Sequence, residues 1–121
     1  MAFSISNQRV IIGQAIGNVD SSGNVETRGG MVCGIIDVTS YTNGGEVLPA
    51  AAFGLNEVYG AVFLCAENDT YAVRSFEVAA GNKSGTMNVD TAGSGTEVSS
   101  TTDIGQHHFV AWGEMLGSGS N

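Results

Sequence analysis

Short apolar runs separated by glycine-containing turns are the feature that most constrains this chain. Its 121 residues include 18 glycines and a single proline. Between the turns the runs favour β-branched and aromatic residues, which suit strands. About seven such runs, with turn residues about every eight to twelve positions, leave no room for long helices. The pattern predicts an all-β domain, an antiparallel β-sandwich or a jelly-roll-like fold with one short helical turn in a crossover loop.

One domain is predicted over residues 9–115, flanked by two terminal segments. Residues 1–8 alternate weakly between apolar and polar side chains, which fits either an N-terminal arm or an edge strand. Phe3 and Ile5 could contact a neighbouring protomer or another protein, or this segment could pair within its own domain. Residues 116–121 read LGSGSN, a composition typical of a flexible tail.

Two strand predictions organise the domain. Residues 9–20 and 25–40 flank a turn sequence and predict a long hairpin. Residues 57–67 are apolar on both alternating faces, which predicts a central strand of the sandwich. Cys33 and Cys65 each lie inside an apolar run, so we expect both thiols to be buried and reduced.

The segment SYTNGGEVLPAAAFGL, residues 40–55, interrupts the strand pattern. Asn43 and the two glycines after it predict a tight turn with positive φ, and Pro49 begins a single helical turn that Gly54 ends. Tyr41 stands at the loop entrance, where a hydrogen bond from its hydroxyl would fix the crossover. Three apolar side chains are expected to close one end of the sandwich: Leu48, Phe53 and Leu55.

The same segment resembles a pattern in small structural proteins of tailed bacteriophages, Ser/Thr-Tyr-Thr-x-Gly-Gly-Glu-x-Leu followed by Gly-Leu and a strand. The matching residues are Ser40, Tyr41, Thr42, Gly44, Gly45, Glu46, Leu48, Gly54 and Leu55. The resemblance implies a capsid decoration or cement protein, made in the host cytoplasm and placed on the exterior of the virion. It also implies that the partner is the major capsid protein and that the chain forms a homo-oligomer, with a trimer favoured.

Charge composition excludes some partners and favours others. Twelve acidic residues stand against four basic ones, giving a formal net charge of −8. Direct nucleic-acid binding is disfavoured, because neutralising phosphates requires clustered Lys and Arg. Charged residues make up only 13% of the chain against about 25% in an ordinary domain, so we expect protein contacts to cover part of the surface. No apolar run has the roughly 18 residues of a membrane span. Residues 1–10 lack the charged start and apolar core of a signal peptide, so we expect folding in a reducing cytosol.

Residues that could carry chemistry do not form a recognisable site. His107 and His108 are adjacent, so on a strand they point to opposite faces and do not share a metal. No Gly-x-Ser-x-Gly elbow is present, and we expect no enzyme activity and no cofactor. Trp112 is expected in the core. Five acids could in principle supply a glycosidase pair, but twelve acids on a small surface place some near each other by default, so chance proximity is the favoured explanation: Glu46, Glu57, Glu67, Asp69 and Glu77.

Two alternatives to a decoration protein remain open at this point. One is a small β-sandwich that binds glycans or a receptor through loops such as residues 81–85 and 92–95. The other is a neck or tail subunit of the virion, in which a ring would replace the threefold or clustered arrangement.

Overall fold

Ten β-strands and one 3-10 turn make up the computed structural model, which describes residues 3–12, 18–19, 25–26, 29–65, 67 and 69–115. The strands are β1 (Phe3–Ile12), β2 (Asn18–Val19), β3 (Val25–Glu26), β4 (Gly29–Val38), β5 (Glu46–Pro49), β6 (Leu55–Cys65), β7 (Tyr71–Val78), β8 (Ser84–Thr91), β9 (Thr96–Glu97) and β10 (Gly105–Met115). The expected tail at 116–121 and the side chain of Cys65 lie outside the described part.

Two antiparallel sheets form the domain, and the predicted all-β sandwich is confirmed. The first has the strand order β1-β4-β10-β6, and the second has β5-β8-β7 with β9 paired to β8. The predicted hairpin is also present, because β1 pairs antiparallel with β4, and β2 pairs antiparallel with β3 in a separate two-stranded sheet. Its first limb begins at Phe3, so it crosses the boundary expected at residue 9.

The core lies between the two sheets and is closed by aromatic side chains. Phe53 from the 3-10 turn meets Phe109 of β10 and Phe76 of β7, with ring centroids 5.1 Å and 6.1 Å apart and edge-to-face geometry. Edge-to-face pairs contribute about 0.5–1.5 kcal/mol beyond the area they bury. Because these rings come from both sheets, the short helical segment joins the sheets at this point.

The crossover loop adopts the turns that its residues favour. Gly44 and Gly45 have φ of 98° and 119°, and the 3-10 turn runs over Ala50–Phe53. Gly54 follows in the left-handed region at φ 81°, where its N–H bonds to the preceding turn. The apolar residues expected to close this end are fully buried: Leu48, Phe53 and Leu55.

Three expectations from the sequence are corrected. Strand β6 is an edge strand of its sheet, whereas the two central strands are β4 and β10. Trp112 and Cys33 are only half-buried, because strand alternation places both on the outer face of the first sheet rather than in the core. The apolar residues beside Trp112 and Cys33 in the strand register lie on that same outer face.

The N-terminal segment is an edge strand that pairs within its own domain. Phe3 and Ile5 are half-buried and pack against the core. That these two side chains also contact another protomer or a capsid protein stays a prediction. Within the described residues, no helix has the length and apolar character needed to cross a membrane.

Candidate interaction face

The outer face of the first sheet carries apolar side chains across three strands. On β10, residues alternate strictly between buried and more accessible positions from Gly105 to Met115. His108, Val110 and Trp112 therefore point away from the core. The register places Val110 beside Cys33 of β4 and Val62 of β6.

The next set of cross-strand neighbours along the sheet also contains two aliphatic residues. His108 pairs with Ile35 on one side and with Leu64 on the other. We call this surface the outer face and define it by its half-buried and exposed side chains: Met31, Cys33, Ile35, Val62, Leu64, His108, Val110 and Trp112.

The most accessible apolar side chains of the outer face belong to β6. Leu64 is 74% exposed and Val62 is 57% exposed. One other large hydrophobic residue in the described part of the chain is comparably exposed, Val47 at 55%, and it lies on β5 in the opposite sheet. Because a solvated sheet face usually alternates apolar-in and polar-out, two exposed aliphatic residues beside a half-buried apolar row favour contact with another molecule.

A shallow concavity of about 540 Å³ lies on this face. Its lining comes from β4, β6 and β10: Cys33, Gly34, Ile35, Val62, Leu64, His108, Phe109 and Val110. None of these residues is acidic or basic apart from His108. Asp37 and Glu114 lie at opposite ends of the sheet rows, so the carboxylates flank the concavity rather than line it.

Trp112 covers a neighbouring strand at one end of the outer face. Its register partner on β6 is Gly60, and a Cβ added at Gly60 would collide with the indole ring. Glycine at this position therefore allows the large ring to lie across β6. Since Trp112 is half-buried, part of the indole surface remains accessible to solvent.

The crossover residues predicted from the sequence form a hydrogen-bonded clamp rather than a binding surface. The Tyr41 hydroxyl donates to Glu97 Oε2 at 3.0 Å and accepts from the Val89 N–H at 3.0 Å. Glu97 Oε2 also accepts from the Gly44 N–H at 2.6 Å. Glu46, which is almost fully buried, accepts from the Thr42 N–H at 3.0 Å.

This clamp changes the acidity of the phenol. Burial, with the Glu97 carboxylate alongside, raises the pKa of Tyr41 to about 12, since both disfavour the phenolate. Its hydroxyl therefore stays protonated at neutral pH and can act as both donor and acceptor. We conclude that the hydrogen bonds of Tyr41, Gly44, Glu46 and Glu97 hold the crossover against β8.

The two adjacent histidines point to opposite sides of β10, as predicted. His107 is fully buried, and neither ring nitrogen has a hydrogen bond of normal geometry within the described part of the chain. Burial lowers the pKa of His107, although the nearby carbonyls of Gly105 and Tyr71 and the carboxylate of Glu67 favour the protonated ring. His108 lies on the outer face and is exposed.

Three of the acidic residues considered as catalytic candidates accept hydrogen bonds from neighbouring groups. Glu67 Oε2 accepts from the Gln106 N–H at 2.7 Å, and Glu77 Oε1 accepts from the Asn88 side chain at 2.9 Å. Glu46 is held by the crossover. Within the described ranges, no group of three or more His, Cys, Asp and Glu side chains is placed to hold a metal ion.

The sequence does not reveal the outer face, because a strand made of apolar residues can arise in two structural situations. A strand that is apolar at every position is either covered on both sides or uncovered with an apolar outer face. The run AVFLC at residues 61–65 suggests the first, and the exposure of Val62 and Leu64 shows the second.

Comparison of the chain with models of known protein families, with curated proteins and with solved structures found no match.

Proposed function

We propose that this protein is a non-enzymatic structural protein of a tailed-bacteriophage head, which decorates the major capsid shell and stabilises it. The observation that carries the proposal is the outer face, an apolar and uncharged surface on an otherwise acidic domain. Such a surface suits contact with another protein, because interface cores are depleted in charge. The resemblance of residues 40–55 to phage head proteins supplies the identity of that partner.

The mechanism requires binding energy and no chemistry. A copy bound across a junction between capsid subunits buries apolar area only while those subunits are assembled. Burial contributes about 25 cal/mol per Å², and anything that binds only the assembled state stabilises it by mass action. Decorated shells should therefore withstand higher temperature or internal pressure than bare shells.

Binding to empty shells is the direct test. Purified protein is mixed with empty shells assembled from the major capsid protein of the same phage, and the pellet is analysed after sedimentation. We expect saturable binding in a fixed ratio to the major capsid protein and a higher disruption temperature of the shells. A chain that stays in the supernatant at all concentrations would refute the proposal, and specific binding to a glycan panel would favour the receptor-binding alternative.

A matched pair of variants tests whether the outer face makes the contact. Ile35→Lys places a charge in the lining of the concavity, whereas Val47→Lys places the same charge at an exposed position of the opposite sheet. Ile35→Lys should abolish co-sedimentation and Val47→Lys should retain it. Circular dichroism of both variants checks that each one folds. Equal binding by the two variants would show that another surface meets the shell.

A further inference from the structure

Carboxylates stand at both ends of the apolar outer face. At one end, half-buried Asp37 of β4 lies beside Gln106 of β10, and Glu67 Oε2 accepts from the Gln106 N–H at 2.7 Å. At the other end, Glu114 of β10 lies directly opposite Glu57 of β6. Between these ends, β4, β6 and β10 carry no acidic residue. We call the four carboxylates the acidic ends: Asp37, Glu57, Glu67 and Glu114.

The two opposed glutamates repel each other. Glu57 and Glu114 are both half-buried, and like charges directly opposite on neighbouring strands destabilise a sheet. The Asn56 side chain donates to Glu114 Oε1 at 2.6 Å, which leaves both negative charges in place. Lys83 Nζ donates to the backbone and side-chain oxygens of Asn56, at 3.1 Å and 3.2 Å, and not to either carboxylate. A cation supplied by another molecule would relieve this repulsion.

Basic residues in the described part of the chain do not neutralise the acidic ends. Arg74 forms an ion pair with Asp90 on the opposite sheet, at 3.0 Å. Among the side chains that the structure describes, no ion pair involves the acidic ends. Arg9 of β1 pairs with Cys33 in the register, beside the middle of the outer face, and its side chain lies outside the described part. Both ends of the outer face are therefore negative, with the uncharged concavity between them.

We propose that the capsid protein presents to the outer face an apolar strip with Lys or Arg side chains at both of its ends. This inference rests on the proposed function and specifies the chemistry of the surface that the domain recognises. From residue 106 to residue 114, β10 rises by about 3.3 Å per residue, so the two basic groups should lie about 26 Å apart. The apolar centre supplies affinity through burial, whereas the charged ends determine the orientation of the bound domain.

The same charges disfavour other occupants of the outer face. Two copies of this chain would place acidic ends against acidic ends in either orientation, and each copy has a formal net charge of −8. Nucleic acid and anionic lipid surfaces would meet the same repulsion. A basic protein surface is instead attracted from a distance by the net charge of the domain. Of these occupants, only the basic protein surface gains from both the apolar centre and the acidic ends.

The salt dependence of shell binding is the first test. Co-sedimentation of the unmodified chain with empty shells is repeated between about 0.05 M and about 0.5 M salt, where the Debye length falls from about 14 Å to about 4 Å. Because salt screens the attraction at the acidic ends, we expect binding to weaken at least about tenfold over this range. Shell binding that is unchanged or tighter at high salt would overturn the inference and leave the proposed function standing.

The variant Glu57→Lys separates binding from folding. It replaces a like-charge pair across β6 and β10 by an opposite-charge pair, so the variant should unfold at a slightly higher urea concentration than the unmodified chain. Its binding to shells should nevertheless weaken at least about tenfold, because a cation now faces the basic end of the partner. A merely structural role of Glu57 would not lower binding while raising stability.

A second glutamate supplies the matched control. Glu77→Lys makes the same change at an exposed position of β7 on the opposite sheet and should bind shells within about twofold of the unmodified chain. Circular dichroism checks that this variant folds, since it loses the bond to Asn88. Asp37→Lys repeats the test at the other acidic end and decides the inference if Glu57→Lys does not fold. Unchanged binding by Glu57→Lys, or an equal loss in Glu77→Lys, would overturn the inference.

Peptide probes test the charge pattern without any shell. Three peptides of about ten residues, long enough to span the outer face, share one apolar centre and end in lysines, serines or glutamates. Trp112 is the single tryptophan of the chain and lies on this face, so its fluorescence reports binding. The lysine peptide should bind most tightly and the glutamate peptide least. If the chain binds no shells, the proposed function fails and the peptides alone decide the inference, which equal affinities or an unchanged Trp112 emission would then overturn.

Discussion

Replacing Tyr41 with phenylalanine tests the clamp that holds the crossover loop. The substitution removes a hydroxyl from a side chain that is 1% exposed, while the ring keeps its packing. The Val89 N–H then loses its acceptor, and Glu97 loses one of two donors. A buried donor left without a partner costs about 1–3 kcal/mol, and a bond to a charged group contributes about 1.5–3 kcal/mol. Since the two effects overlap, we expect a total loss of about 2–4 kcal/mol in the free energy of unfolding.

Urea denaturation followed by circular dichroism measures this loss. A small domain is stable by about 5–15 kcal/mol, so the variant should fold but unfold at a clearly lower urea concentration, with an unchanged m-value. Tyr71→Phe is the control, because that half-buried tyrosine of β7 supplies none of the clamp's bonds. A loss below about 0.5 kcal/mol for Tyr41→Phe, or an equal loss for both variants, would refute the reasoning.

Three further predictions follow from ionisation and backbone geometry. Because the pKa of Tyr41 is raised to about 12, unfolding releases its proton above pH 10; stability should fall between about pH 10 and 12, and Tyr41→Phe should reduce that slope in denaturation curves. Burial lowers the pKa of His107, so at acidic pH the unfolded chain binds a proton on this ring that the folded chain does not bind. Stability should fall as pH drops below about 6.5, less so in His107→Gln but undiminished in His108→Gln. Gly45→Ala should destabilise more than Gly44→Ala: both have positive φ, but only a Cβ at Gly45 meets other atoms, those of the β8 side chains. Gly44→Ala should cost about 1 kcal/mol by thermal unfolding.

Local features of this chain were predictable because they depend on neighbouring residues. Positive φ at Gly44 and Gly45, the helical start after Pro49 and the left-handed stop at Gly54 follow from conformations that these residue types favour. The opposite orientation of His107 and His108 follows from the period of a strand. Each of these signals lies within a few positions of the feature it predicts.

The candidate face was not predictable by the same means. The sequence of an apolar strand looks the same whether a second layer or a partner covers it. The pattern therefore predicts β6 at the centre of the sandwich, whereas β6 lies at the edge of its sheet. Trp112 is predicted in the core for the same reason, because a large apolar residue suggests a core position unless the sheet order is known. In the structure it is half-buried.

The sequence by itself determined the fold class, the turns and the loop entrance at Tyr41, because strand period and turn chemistry are local properties. Only the tertiary structure decided which strand lies at an edge, which apolar residues face outward and which carboxylate accepts from Tyr41. Glu97 lies 56 positions from Tyr41, and the two meet only because the sheets pack together. Contacts of that separation depend on how all the strands are ordered, and local patterns of residues do not encode that order.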